Sequence, residues 1–138
     1  MRKYSKILIL GIVFVTGVLF SSGCDKSNPQ DAGFLLGKIS IGPICPVEKY
    51  PPDPGCLPTA ETYKAYPVGV WTANGERKVA QIYPALDGSY KTPLEPGSYL
   101  VVLEISRGRF GSSNLPAGIT IFSQGNTTLD INIDTGIR

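Results

Sequence analysis

Histidine is absent from the 138 residues, and cysteine, tryptophan and methionine are scarce at 3, 1 and 1. Without histidine there is no Ser-His-Asp or Cys-His arrangement for nucleophilic catalysis, and the commonest metal ligand is missing. No serine sits in a Gly-x-Ser-x-Gly elbow. Cys45 and Cys56 lie too far apart for the C-x₂-C spacing of a zinc site. Long apolar runs are also lacking. The longest, Ile7 to Phe20, is short of the roughly 20 residues that span a membrane, and no basic stop-transfer cluster follows it. Charge of one sign is missing too, with 13 basic against 11 acidic side chains. Three of the basic ones, Arg2, Lys3 and Lys6, precede the apolar run, so the remainder is near neutral and offers no basic patch for nucleic acid. The carboxylates Glu48, Asp53, Glu61, Asp87, Glu95, Asp130 and Asp134 fall at turns or on polar strand faces, which predicts solvated structural roles. These absences assign no catalytic residue, no metal and no cofactor, and the expectation is a protein that is not an enzyme.

What is present begins with the leader. A basic start, an apolar stretch and the small residues Ser21-Ser22-Gly23 before Cys24 form the three-part layout of a secretory signal, predicted to be cleaved after residue 23. The junction resembles the lipobox of bacterial lipoproteins, in which a peptidase cleaves before a cysteine carrying a diacylglyceryl group. Ser22 and Gly23 match that motif. Ser21 stands where the family usually has leucine and would suit an ordinary signal peptidase, so secretion without lipid is the alternative. Each buried CH₂ contributes about 0.8 kcal/mol, so two or three chains on Cys24 would hold the protein firmly on the outer face of a bacterial membrane. Residues 24–32, polar and containing Pro29, read as a tether. Cys45 and Cys56 then remain as a pair, and outside the cytoplasm a disulfide is expected, contributing roughly 2–3 kcal/mol.

Residues 33–138 read as one all-β domain. Leu36-Gly-Lys38-Ile39-Ser40-Ile41 alternates with the period of a half-buried strand within Gly33 to Ile41. A loop from Gly42 to Pro58, dense in proline, excludes regular structure. Further strands are predicted at Tyr66 to Thr72, Lys78 to Tyr83, Ser89 to Thr92, Ser98 to Ser106, Ile119 to Phe122 and Thr128 to Ile133. Between them lie turn signals at Asn74-Gly75, Asp87-Gly88 and Pro96-Gly97, the last expected as a type II turn with positive φ at Gly97. No helical periodicity competes. Seven short strands with regular turns point to a Greek-key β-sandwich.

The pattern Gly75…Val79-Ala80…Asp87-Gly88-Ser-Tyr90…Leu94-Glu-Pro96-Gly97-Ser-Tyr99 resembles the carboxypeptidase regulatory-like, or prealbumin-like (transthyretin-like), sandwich domains. More narrowly, Gly42-Pro43-Ile-Cys45-Pro46-Val47-Glu48, Pro52-Asp53-Pro54-Gly-Cys56 and the terminal Asp134-Thr135-Gly136-Ile137-Arg138 resemble a group of small secreted or lipid-anchored bacterial proteins of that fold. The resemblance implies a fold and a cell-envelope location, and brings no catalytic residues.

Within that frame Tyr99 is expected to hydrogen-bond a loop backbone, and Trp71 to cover the second sheet surface beneath the proline loop, with exposure as a recognition anchor the alternative. A self-formed crosslink among Lys38, Asn132 and Glu104 is disfavoured, because the first two face water. Asp130, Asn132 and Asp134 are spaced too widely along one strand for a calcium cage. The candidate binding surface is the stapled loop, where Tyr50, Pro51, Pro52 and Leu57 form a rigid, semi-apolar patch, with capping of the sandwich as the bland alternative. The expected role is a binding or accessory module, its partners the membrane through the N-terminal lipid and an unknown envelope protein or cell-wall component. A structural or spacing element of an envelope assembly is the alternative.

Overall fold

The computed structural model describes residues 31–47, 49–105 and 111–138. The expected leader, Cys24 and most of the tether lie outside them. In chain order the strands are β1 (Gly33–Gly42), β2 (Val68–Thr72), β3 (Lys78–Ile82), β4 (Ser89–Leu94), β5 (Gly97–Leu103), β6 (Ala117–Ile121), β7 (Asn126–Thr128) and β8 (Ile131–Asp134). One short helix, α1 (Ala60–Ala65), precedes β2. Two sheets pack face to face as a sandwich. In one, β1 lies between β4, which it pairs antiparallel, and β7 and β8, which it pairs parallel. The other runs β3-β2-β5-β6, antiparallel throughout. Leu35, Ile39 and Ile41 alternate inward from β1, and meet Val68, Val70, Val101 and Ile121 of the opposite sheet in a single buried cluster that also holds Ile131 and Ile133.

The strand count is eight rather than seven, because the last expected strand is split. Leu36 pairs Thr128 and Ile39 pairs Ile131, so β7 and β8 keep one register against β1 across the break. Between them the Leu129 amide still donates to the Leu36 carbonyl at 2.9 Å. The next ladder bond is replaced by a side chain, with the Lys38 amide donating to Asp130 Oδ1 at 2.9 Å. Gly37 makes room for this joint, since a Cβ there would stand 2.1 Å from the Leu129 carbonyl oxygen. That same oxygen accepts the buried Tyr90 hydroxyl at 2.5 Å, and burial together with nearby Asp130 pushes the Tyr90 phenol far up.

Three other expectations change. Helix α1 forms although no periodicity announces it, because Thr59 and Thr62 close a capping box at its start and Tyr63 anchors it to the core. Strand β4 continues through Pro93 to Leu94, which is tolerated because β1 is its one paired neighbour and the missing amide faces the open edge. The Glu95-Pro96 link is no hairpin turn: it carries the chain from one sheet to the other, and Gly97 at φ 156 already begins β5 in near-extended form. The Asn74-Gly75 and Asp87-Gly88 turns form as expected, with positive φ of 71 and 84 at the glycines.

If the joint at Gly37 holds the first and last strands together, Gly37→Ala lowers unfolding stability by about 2 kcal/mol or more, and Tyr90→Phe by about 1–2 kcal/mol. Urea unfolding of both variants checks this, and wild-type midpoints for both would refute it.

Candidate functional site

Beyond β1 the chain enters the proline-rich loop, and several local constraints fix it. Cys45 and Cys56 are joined, their Cα atoms 5.4 Å apart. Pro54–Cys56 makes a 3-10 turn whose first amide, on Gly55, is taken by Asp53 Oδ1 at 2.9 Å. The loop then runs straight into the Thr59 cap of α1. At its other end the C-terminal segment returns to hold it. The Thr135 amide donates to the Gly42 carbonyl at 3.1 Å, and the Thr135 hydroxyl donates to the Pro43 carbonyl. Arg138 pairs with Asp134 at 2.8 Å, and with the Gly136 amide it holds the Asp134 carboxyl below the ordinary range. Two motifs from opposite ends of the sequence thus meet at one pole.

Loop side chains divide between two jobs. Ile44 packs against the core, so the loop does cap the sandwich. Tyr50 is 98% exposed and Leu57 49% exposed, with Pro51 and Pro52 open beside them. Tyr50 and Leu57 share a shallow groove of about 420 Å³ floored by Ile44 and the disulfide. Leu57 also borders a larger groove of about 720 Å³, which extends over Ile39 and Ile41 to Tyr63 and Leu86. A third groove of about 440 Å³ continues from Tyr63 and Leu86 along α1 to Tyr83. An apolar strip therefore runs from the stapled loop, past α1, to the β3–β4 link, where Leu86 is 70% and Tyr83 82% exposed. Sequence reasoning found Tyr50 and Leu57 and missed Tyr83 and Leu86. The available signal was Tyr83-Pro-Ala-Leu86, apolar residues placed where strand alternation has ended.

Trp71 is not part of this pole. Its indole lies on the outer face of β2 over Gly69, where a Cβ would stand 2.8 Å from Nε1, and beside Glu104. The loop is seated on the core by Ile44, and the groove beside it is lined by Ile39, Ile41 and Tyr63 instead. Tyr99 behaves as expected, its hydroxyl donating to the Glu95 carbonyl at 2.9 Å. Lys38 and Asn132 are exposed on the first sheet, while Glu104 pairs with Lys78 on the second at 2.7 Å, so the three groups of the disfavoured crosslink do not assemble. Asp130 and Asp134 bond Lys38 and Arg138, and no cluster of metal-ligating residues occurs among the described residues.

The chain matches no protein-family model and no curated protein. Among solved structures it is similar to GBS52, the minor pilin of Streptococcus agalactiae, with a TM-score of 0.50 and 12% identity over 76% of this chain and 45% of that one. A DUF3823 family protein from Parabacteroides merdae aligns at a TM-score of 0.44 and 14% identity, over 75% of this chain and 46% of that one. The Bacillus anthracis TIE protein aligns at 0.46 and 11% over 75% of this chain and 16% of that one. The chain spans less than half the length of each. The likeness to the pilin is one of fold, an all-β sandwich.

Two outcomes follow. Replacing Cys45 and Cys56 together by serine lowers stability by roughly 2–3 kcal/mol in urea and opens the bond after Lys49 to trypsin, with the sandwich retained. Because the Asp134 carboxyl is depressed in the folded state, its ion pair contributes above the ordinary carboxylate pKa of about 4 and is lost only as pH falls through the lowered value. In Arg138→Ala the NMR-detected Asp134 titration moves up toward the ordinary range; an unmoved titration would show that the clamp does not form.

Proposed function

We propose that this chain is a non-enzymatic binding or accessory module of the bacterial cell envelope, a prealbumin-like sandwich held by lipid on Cys24 to the outer face of a membrane. The observation that carries the reading is the apolar strip from Tyr50 and Leu57 to Leu86 and Tyr83. Exposed aromatic and aliphatic side chains this close together mark an interaction surface, whereas scattered ones do not. Their rigid mounting on a disulfide, a capped helix and the core limits the entropy lost on association. The position fits the anchor as well. The tether enters β1 at Gly33, and the strip lies at its other end, from Ile39 onward, roughly 20–30 Å away along the strand. An envelope protein or cell-wall component is then met on the side facing away from the membrane.

The test is crosslinking in intact cells with a copy tagged after Arg138, with mass spectrometry of captured proteins and of the N-terminus of the protein itself. A specific partner is expected, captured by wild type and lost from Tyr50→Ser and Leu86→Ser variants whose melting temperatures stay within about 2 °C. Lipid is expected on Cys24. Capture that is indifferent to both substitutions would remove the strip as the site and leave a spacing element of an envelope assembly. Substrate turnover lost on a single carboxylate substitution would overturn the non-enzymatic reading.

A further inference from the structure

The larger groove at the loop pole contains a break in the sheet. Strand β4 starts at Ser89, opposite Lys38, and the last contact on that side is the Ile39 amide donating to the Gly88 carbonyl at 2.8 Å. Backbone groups of a strand alternate between its two edges. The Lys38 amide and the Gly42 carbonyl are used toward the C-terminal strand, by Asp130 and Thr135. Ile39 faces the other way, and by the same alternation the Ile41 amide and carbonyl face the groove, in line with β4 but past its start. Across the groove stand Leu57, Leu86 and Tyr63. Tyr63 is 8% exposed, and its hydroxyl lies beside Asp87 and Gly88 at the wall of the groove.

We infer that this groove receives an extended polypeptide segment, which adds a short strand to β1 at Ile41 where β4 leaves off. The inference rests on the binding-module reading and names its partner's chemistry. A strand supplies the carbonyl and amide that Ile41 lacks among the described residues, while its side chains alternate against Leu57 and Leu86 and a carbonyl or hydroxyl accepts from Tyr63. Apart from the mostly buried Tyr63, the apolar walls are aliphatic side chains and prolines, which suit branched side chains better than a sugar ring, which stacks on an open aromatic face. One lysine and one aspartate, Lys38 and Asp87, line the same groove, so charge favours neither sign and a neutral segment fits.

The experiment is selection of linear peptides from a random twelve-residue display library on the full chain in mild detergent. Winners rich in valine, isoleucine and threonine are expected, slowing hydrogen exchange at the Ile41 amide. N-methylation of alternate amides in one phase should weaken binding at least about tenfold and the other phase little. Leu57→Asp should abolish binding, and Tyr63→Phe should weaken it about three- to tenfold with an unchanged melting temperature, as loss of one hydrogen bond predicts. Failure to enrich peptides, equal tolerance of both N-methylation phases, or an unprotected Ile41 amide would overturn strand addition. Strip-dependent capture in cells alongside such a failure would leave the binding module standing and remove only this groove; loss of both would remove both.

Discussion

Everything in this sandwich is hung on β1, and on its ability to hold the far end of the chain in parallel register. Parallel pairing between the first strand and the last two joins residues 92 positions apart, as the Lys38–Asp130 bond records. Pairing so distant in sequence must offset a large loop-closure entropy and favours slow folding. It also needs both partners to bend together. The joint at Gly37 solves this locally: the ladder is interrupted for two residues, the Leu129 carbonyl takes the space a side chain would fill, and Tyr90 and Asp130 satisfy the groups set free. A buried carbonyl or amide without a partner is expensive, so the interruption is tolerable only because both substitutes are in place.

From that closure the arrangement of the loop pole follows. Once β8 is fixed beside β1, the chain beyond it has nowhere to go but across the start of the loop, where Thr135 takes the carbonyls of Gly42 and Pro43. The loop is thereby held at its base by the C-terminus, in its middle by the disulfide and at its exit by the Thr59 cap. Held this way it can spend Ile44 on the core and still present Tyr50 and Leu57 to solvent. Capping and presentation, which look like competing roles when only the sequence is considered, are carried by different side chains of one loop.

The strands were legible because half-buried strands alternate, as Lys38 to Ile41 does, although Leu36 falls on the outer face and Leu35 takes the inward position. The disulfide was legible from compartment and cysteine count. What stayed hidden depended on contacts distant in sequence. Nothing around Leu129 and Asp130 reveals that the last strand is broken, since the cause is Gly37 and Tyr90 across the sheet. Helix α1 is too short for periodicity to register, and its cause is a cap and one buried tyrosine. Trp71 lies over Gly69 and near Glu104 rather than beneath the proline loop, because which structure covers a sheet face is decided by loop paths. Tyr83 and Leu86 were illegible for a related reason: each is unremarkable alone and becomes part of a surface only where α1 lies beside both and Leu86 also meets Leu57.

How the sandwich treats its edges bears on the groove at Ile41. Strand β4 carries Pro93, which blunts pairing along its outer side. The outer side of β8 is covered by the segment from Gly111, with Ser112 bridging Ile133, the Asp134 amide donating to the Gly111 carbonyl at 2.7 Å, and Asn114 bonding both Asp130 and Asn132. On β6 the Thr120 carbonyl accepts the Thr127 hydroxyl at 2.7 Å. Against these covered edges the stretch of β1 beyond Ile39 contrasts, since the loop that passes beside it leaves a groove of about 720 Å³ instead of closing down. An uncovered edge invites indiscriminate pairing unless it is short and walled. This one is both: β1 ends at Gly42, and Leu57 and Leu86 stand over it. Only a residue or two of an incoming strand finds backbone partners there, so side chains rather than the ladder must decide what is admitted, and the groove can be selective where a longer edge would be merely adhesive.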